Sequence, residues 1–183
     1  MPTHAGINAA LALVIDNNLK PEYISEVVIH VGFGQVANFY YAKPFSIRDF
    51  PQGDAAFSYI YTVATALVNK SVFIQNFSEQ AIRDPRVQSM IKKIKMAERP
   101  EGAELGVQVD LRLADGRRLS QYKAEPREFA VNPTPRDEVI AKFRKQVAYA
   151  KTISDKKAES ALELLQDLEN LKNVNRLLKY MAA

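Results

Sequence analysis

The sequence contains no cysteine. Disulfides, thiolate nucleophiles, iron–sulfur ligation and cysteine-based zinc sites are therefore excluded for this chain, and the composition fits a reducing compartment. No apolar run approaches the roughly 18 residues that cross a bilayer. No basic stretch followed by an apolar one marks a signal peptide. A cytoplasmic protein with no membrane partner is the expectation. Histidine is scarce, with only His4 and His30. There is no HExxH string and no acidic calcium loop, so no metal site is expected. Gly32 and Gly34 lack a third glycine at the right spacing, which removes the phosphate-cradling glycine loop. Internal repeats and low-complexity tracts are absent as well.

What is present suits one folded domain or a little more: 183 residues, 47% hydrophobic and 25% charged, with a formal net charge of +4. The basic residues are interleaved with acidic ones and form no stacking-and-basic stripe, so no nucleic-acid partner is expected. The mild positive balance suits small anions.

Hydrophobic spacing divides the chain. Thr3 can cap a first helix to about Asn17, with Ile7, Ala10, Leu11 and Val14 on one face and His4 a turn earlier. Ser25–Phe33 reads as a strand that is apolar on both faces and so covered on both sides, with His30 a satisfied core histidine. Residues 36–51 are irregular and aromatic, because Pro44 and Pro51 forbid a long helix. Asp54 is placed as the cap of a fifteen-residue buried helix, Ala55–Asn69. Two short helices follow Ser78 and Asp84-Pro85. Lys92, Lys93 and Lys95 read as the solvated face of a helix. Val107, Val109, Leu111 and Leu113 alternate with polar residues as a half-exposed strand. Asp115-Gly116 turns it into a return strand, Arg117–Ala124. After a linker at 126–135, Thr134-Pro135-Arg136-Asp137 opens a helix with Val139, Ile140, Phe143 and Val147 as its buried stripe. Ser154 and Asn173 cap two more helices. The class is α+β: a small, mostly antiparallel sheet with helices, followed by a C-terminal helical segment.

Several strings, in this order, resemble the C-terminal part of the MmgE/PrpD family, whose members include 2-methylcitrate dehydratase, cis-aconitate decarboxylase and an iminodisuccinate epimerase. They are Thr3-His4-Ala5 running to Asn8-Ala9-Ala10; Tyr40–Phe45 (YYAKPF); Ala56-Phe57-Ser58-Tyr59 into Val63–Leu67; Asp84-Pro85-Arg86-Val87; Leu113–Gly116; and Asn132-Pro133 with Lys142-Phe143. The resemblance implies residues 1–18 as a helix of a helical domain mostly absent from the chain. It also implies an α+β small domain over 19–127, and a linker and closing helices over 128–183. It further implies a cofactor-free lyase acting on small polycarboxylates, a homodimer, and a missing N-terminal helical domain supplied in cis or as a separate chain. The family's active-site lysine just upstream of the His4-like position would lie in that missing part, and the isolated chain is expected to be inactive.

Dehydration, decarboxylation and epimerisation of polycarboxylates all build negative charge beside a carboxylate and move a proton there. His4 is the candidate base, because a helix N-terminus disfavours the imidazolium. Tyr40 is the candidate donor to a developing oxyanion, and Lys43 the candidate carboxylate holder. His4 and Tyr40 are expected to line opposite walls of one anion pocket. Each has a plainer reading: His4 as a surface or cap residue, Tyr40 as aromatic packing, Lys43 as a solvated charge. Two alternatives stay open: a non-catalytic α+β assembly or binding module, and an isomerase or decarboxylase of the same family.

Overall fold

A computed structural model describes residues 3–124 and 134–181. The chain forms two compact units, Met1–Glu128 and Phe129–Ala183.

The first unit is built on a four-stranded mixed sheet of order β2-β1-β3-β4. Its strands are β1 (Ile24–Val31), β2 (Ile94–Glu98), β3 (Gly106–Leu113) and β4 (Arg118–Ala124). β1 pairs parallel with β2 and antiparallel with β3, and β3 pairs antiparallel with β4. The expected mostly antiparallel α+β sheet is thus present, with one parallel pair added. The hairpin forms where Asp115-Gly116 places it, because Gly116 adopts φ +90°, open to residues without a Cβ.

Alternation along β1 and β3 puts Val27, Ile29, Val31, Val107, Val109, Leu111 and Leu113 on one buried face. Helices α1 (Thr3–Asp16) and α4 (Tyr59–Asn69) complete this core: α1 lies against β3, β4 and α4. The resemblance assigns α1 to a helical domain, and within this chain its Ala5, Ala9, Ala10, Leu13 and Val14 pack in the same core as the sheet. Small side chains make this approach possible. A Cβ on Gly6 would meet Val63 at 3.3 Å and Tyr59 at 3.4 Å, so the seam admits little more than hydrogen there. The buried stripe runs through these small residues, while Ile7 and Leu11 are half-buried.

Three local expectations change. The fifteen-residue helix is two: α3 (Pro51–Ala56) and α4, separated at Phe57-Ser58. Ser58, not Asp54, is the cap of α4, its Oγ accepting from the Tyr61 backbone N–H at 3.2 Å. From Tyr59 to Leu67 α4 is buried on all sides, as its composition requires. The lysine cluster does not share a helix face. Lys92 caps the C-terminus of α6 (Pro85–Ile91), and Lys95 stands on β2, an edge strand the spacing did not reveal. Finally, β1 is not covered on both sides: Glu26, Val28 and His30 are half-buried on the outer face. The helices after Ser78 and Asp84 form as read, α5 (Glu79–Ile82) and α6, each with its capping side chain bonded.

The second unit contains α7 (Arg136–Ala150), α8 (Asp155–Gln166) and α9 (Asn175–Met181). Ser154 caps α8 and Asn173 accepts from the first turn of α9. Thr134 is not a cap, since Pro135 occupies that position without a side-chain bond. The expected α7 stripe is not buried: Val139 is 54% exposed and Phe143 half-buried. Burial concentrates at Ala158, Ala161, Leu162 and Leu177. The Asn132-Pro133 string and most of the linker lie outside the described residues.

Candidate functional site

The aromatic segment after β1 is shaped by its glycine and prolines. Gly34 turns the chain at φ +74° into the one-turn helix α2 (Gln35–Asn38), and Tyr40–Ala42 form a tight turn. Lys43 must be extended because Pro44 follows it, and it is, at ψ 154°. Neighbouring aromatic residues then divide between core and solvent. The Phe39 and Tyr41 rings lie 4.7 Å apart and reach Tyr59 on α4 at 6.5 and 6.4 Å; Phe57 meets Tyr41 edge-on at 5.7 Å. With Phe39 and Tyr41 anchored inward, Tyr40 stands out from the loop and is 50% exposed.

Arg48 and Asp54 hold this loop closed. The Asp54 side chain, on α3, is buried and accepts three hydrogen bonds from Arg48: backbone N–H to Oδ2 at 2.8 Å, Nε to Oδ1 at 3.0 Å and Nη2 to Oδ1 at 2.5 Å. Burial alone would push the Asp54 carboxyl up. The Arg48 bonds and charge, helped by a bond from the Tyr40 phenol, outweigh it and hold the group below the ordinary aspartate range. Asp54 in turn raises the Arg48 guanidinium, so the pair stays ionised. Nη2 of Arg48 also donates to the Tyr40 phenol oxygen, and the guanidinium carbon lies 5.8 Å from the ring centroid. Tyr40, Lys43, Arg48 and Asp54 line one open cavity of about 190 Å³.

The structure thus brings Tyr40 and Lys43 to one cavity. Lys43 Nζ donates to the Ala37 carbonyl, which steadies the loop. His4 sits in the first turn of α1, exposed, and is not among the residues that line this cavity. His30 is not a core residue: on the outer sheet face its Nε2 lies 2.9 Å from Asp110 Oδ2. Sequence reasoning missed Arg48 altogether and gave Asp54 a capping role. No spacing rule links an arginine in an irregular segment to a tyrosine eight positions earlier. The one available signal was that a loop rich in aromatics and prolines also carried a basic and an acidic residue.

Among the described residues no helix is long and apolar enough to cross a membrane. The family model "MmgE/PrpD C-terminal domain" matches residues 1–169. The chain is also 24% identical, over 167 residues, to a mouse protein named cis-aconitate decarboxylase. That alignment takes in 86% of this chain and 32% of the mouse protein, so the chain spans about a third of the length of the curated relative it matches.

Proposed function

This chain belongs to the MmgE/PrpD family, and from that membership we propose that it carries one side of a lyase active site. The substrate is a small polycarboxylate, the class to which the cis-aconitate in the mouse relative's name belongs, and in this proposal the reaction moves a proton beside a carboxylate without a cofactor. One observation carries the reading: an exposed phenol, an arginine locked by a buried carboxylate and a lysine meet at one cavity. Nη1 of Arg48 has no bond among the described residues, so its two N–H groups are available to a substrate carboxylate while Asp54 fixes the fork. Lys43 adds a second positive charge at the rim. Tyr40 supplies an O–H donor where negative charge develops, next to a guanidinium that favours such charge. His4 is the base in this proposal, presented by a helix N-terminus that favours neutral imidazole. A helical domain, in cis or as a separate chain, supplies the remaining wall and positions His4 against the substrate; a homodimer of the assembled protein is part of the same proposal.

Titration of the 183-residue chain with cis-aconitate, followed by calorimetry and by alkene absorbance, tests this. Binding without turnover is expected, weakened at least tenfold in Arg48→Gln. Unchanged affinity in that variant, or robust turnover by the chain alone, overturns the proposal.

A further inference from the structure

The outer face of the sheet carries a row of charges that the proposed lyase chemistry does not use. Strand register sets Glu26 of β1 beside Arg112 of β3, and Arg112 directly opposite Arg118 of β4. Two like charges facing each other across a strand pair oppose folding. Neither guanidinium has a hydrogen bond or ion pair among the described residues. The acidic neighbours are committed elsewhere. Glu26 Oε1 accepts from Lys95 Nζ at 2.6 Å, and it acts on Arg112 and Arg118 only through its charge. Asp110 accepts from Ser120 at 2.6 Å and Gln108 at 2.9 Å on one oxygen, and contacts His30 with the other.

Two adjoining depressions of about 500 and 460 Å³ open on this row and share Glu26 and Arg112. The first is also lined by Lys92, Lys93 and Lys95, the second by Arg118. The cations arrive from three directions: the end of α6 and the turn after it, the edge strand β2, and the β3–β4 hairpin. Lys93 is fixed by donating to the Ile24 carbonyl at 2.7 Å, which leaves its charge in place. Five cations therefore meet two carboxylates, Glu26, paired with Lys95, and Asp110, held by Ser120, Gln108 and His30.

We propose that this face is a second anion site, distinct from the Tyr40 cavity, that takes a multiply charged phosphate-type oxyanion such as a diphosphate. A planar carboxylate satisfies one guanidinium fork. A tetrahedral oxyanion directs its oxygens toward several elements at once, which matches cations converging from a helix end, an edge strand and a hairpin. Keeping Arg112 opposite Arg118 with no carboxylate bonded to either is a stability sacrifice of the kind that binding sites retain.

The test is calorimetric titration of the full chain with pyrophosphate at low salt. Saturable one-to-one binding is expected. It should weaken at least tenfold in R112Q/R118Q, stay unchanged in Arg48→Gln, and weaken as salt is added. The double variant should melt no lower than the parent without ligand, because the substitution removes a repulsion, and pyrophosphate should raise the melting temperature of the parent alone. If the double variant fails to fold, Arg118→Gln on the edge strand should still weaken binding at least threefold. No saturable binding overturns the proposal, as does parental affinity in both arginine variants. Loss of binding in Arg48→Gln would move the anion to the Tyr40 cavity, and citrate binding as tightly as pyrophosphate would replace the phosphate assignment; either result overturns the site as stated.

Discussion

The two faces of the sheet are made from the same strands and obey opposite rules. On the inner face every β1 and β3 side chain from Val27 to Leu113 is aliphatic and at most 1% exposed. On the outer face the residues between them are Glu26, Val28, His30, Gln108, Asp110 and Arg112, and none is fully buried. The inner face stabilises the fold through apolar area removed from water and close packing. The outer face adds little to stability and carries nearly all of the sheet's charge. A period of two therefore separates what holds this sheet together from what it presents to solvent.

Breaking the inner face should have the largest effect. Leu111→Ala leaves a cavity under α1 and α4 and should cost about 2–5 kcal/mol, read as a fall in the urea midpoint with an unchanged slope. The outer face should respond less. Asp110→Ala removes the acceptor shared by Ser120, Gln108 and His30, and should cost about 1 kcal/mol in the same assay, since the site is part-exposed. Acid sharpens the contrast. Burial pulls the Asp110 carboxyl up, but the Ser120 and Gln108 bonds and the His30 imidazole bring it below the usual 3.8. A carboxyl lower in the folded state stabilises the fold above its unfolded value, and this contribution is lost as pH falls through the folded value. Asp84, Asp115 and Glu26 are lowered likewise. Melting temperature should hold down to about pH 4 and fall below it, and Asp110→Asn should fall less steeply than the parent. The smallest effect is expected at Arg112→Gln, where relief of the repulsion from Arg118 should stabilise by about 0.2–0.5 kcal/mol. A large loss there would show that the row is structural.

The inner face was legible in the sequence because alternation over eight residues and an Asp-Gly turn are local signals. The burial of α4 was legible because apolar residues surround it. β2 was not. Ile94–Glu98 is short and carries lysine, methionine, alanine and glutamate, which favour helices; only pairing with β1 makes it a strand. The break at Phe57-Ser58 escaped notice because both flanking segments are helical and Asp54 is a good cap by type. In the structure Asp54 instead answers to Arg48, and that pairing depends on how a loop folds back, which no periodicity encodes. Tyr40 stood out through its family string, but its exposure follows from Phe39 and Tyr41 turning inward to Tyr59. That is a tertiary fact.

The central strand β1 emerges from the ribosome before every strand it pairs with. Its parallel neighbour β2 comes only after Gly32–Lys93 has been made, and its antiparallel neighbour β3 comes later still. During synthesis an apolar strand therefore stands with both edges open until more than sixty further residues are made. Such an order slows folding and invites pairing between nascent chains. For this protein, translation speed and chaperone supply should govern yield more than the stability of the finished fold.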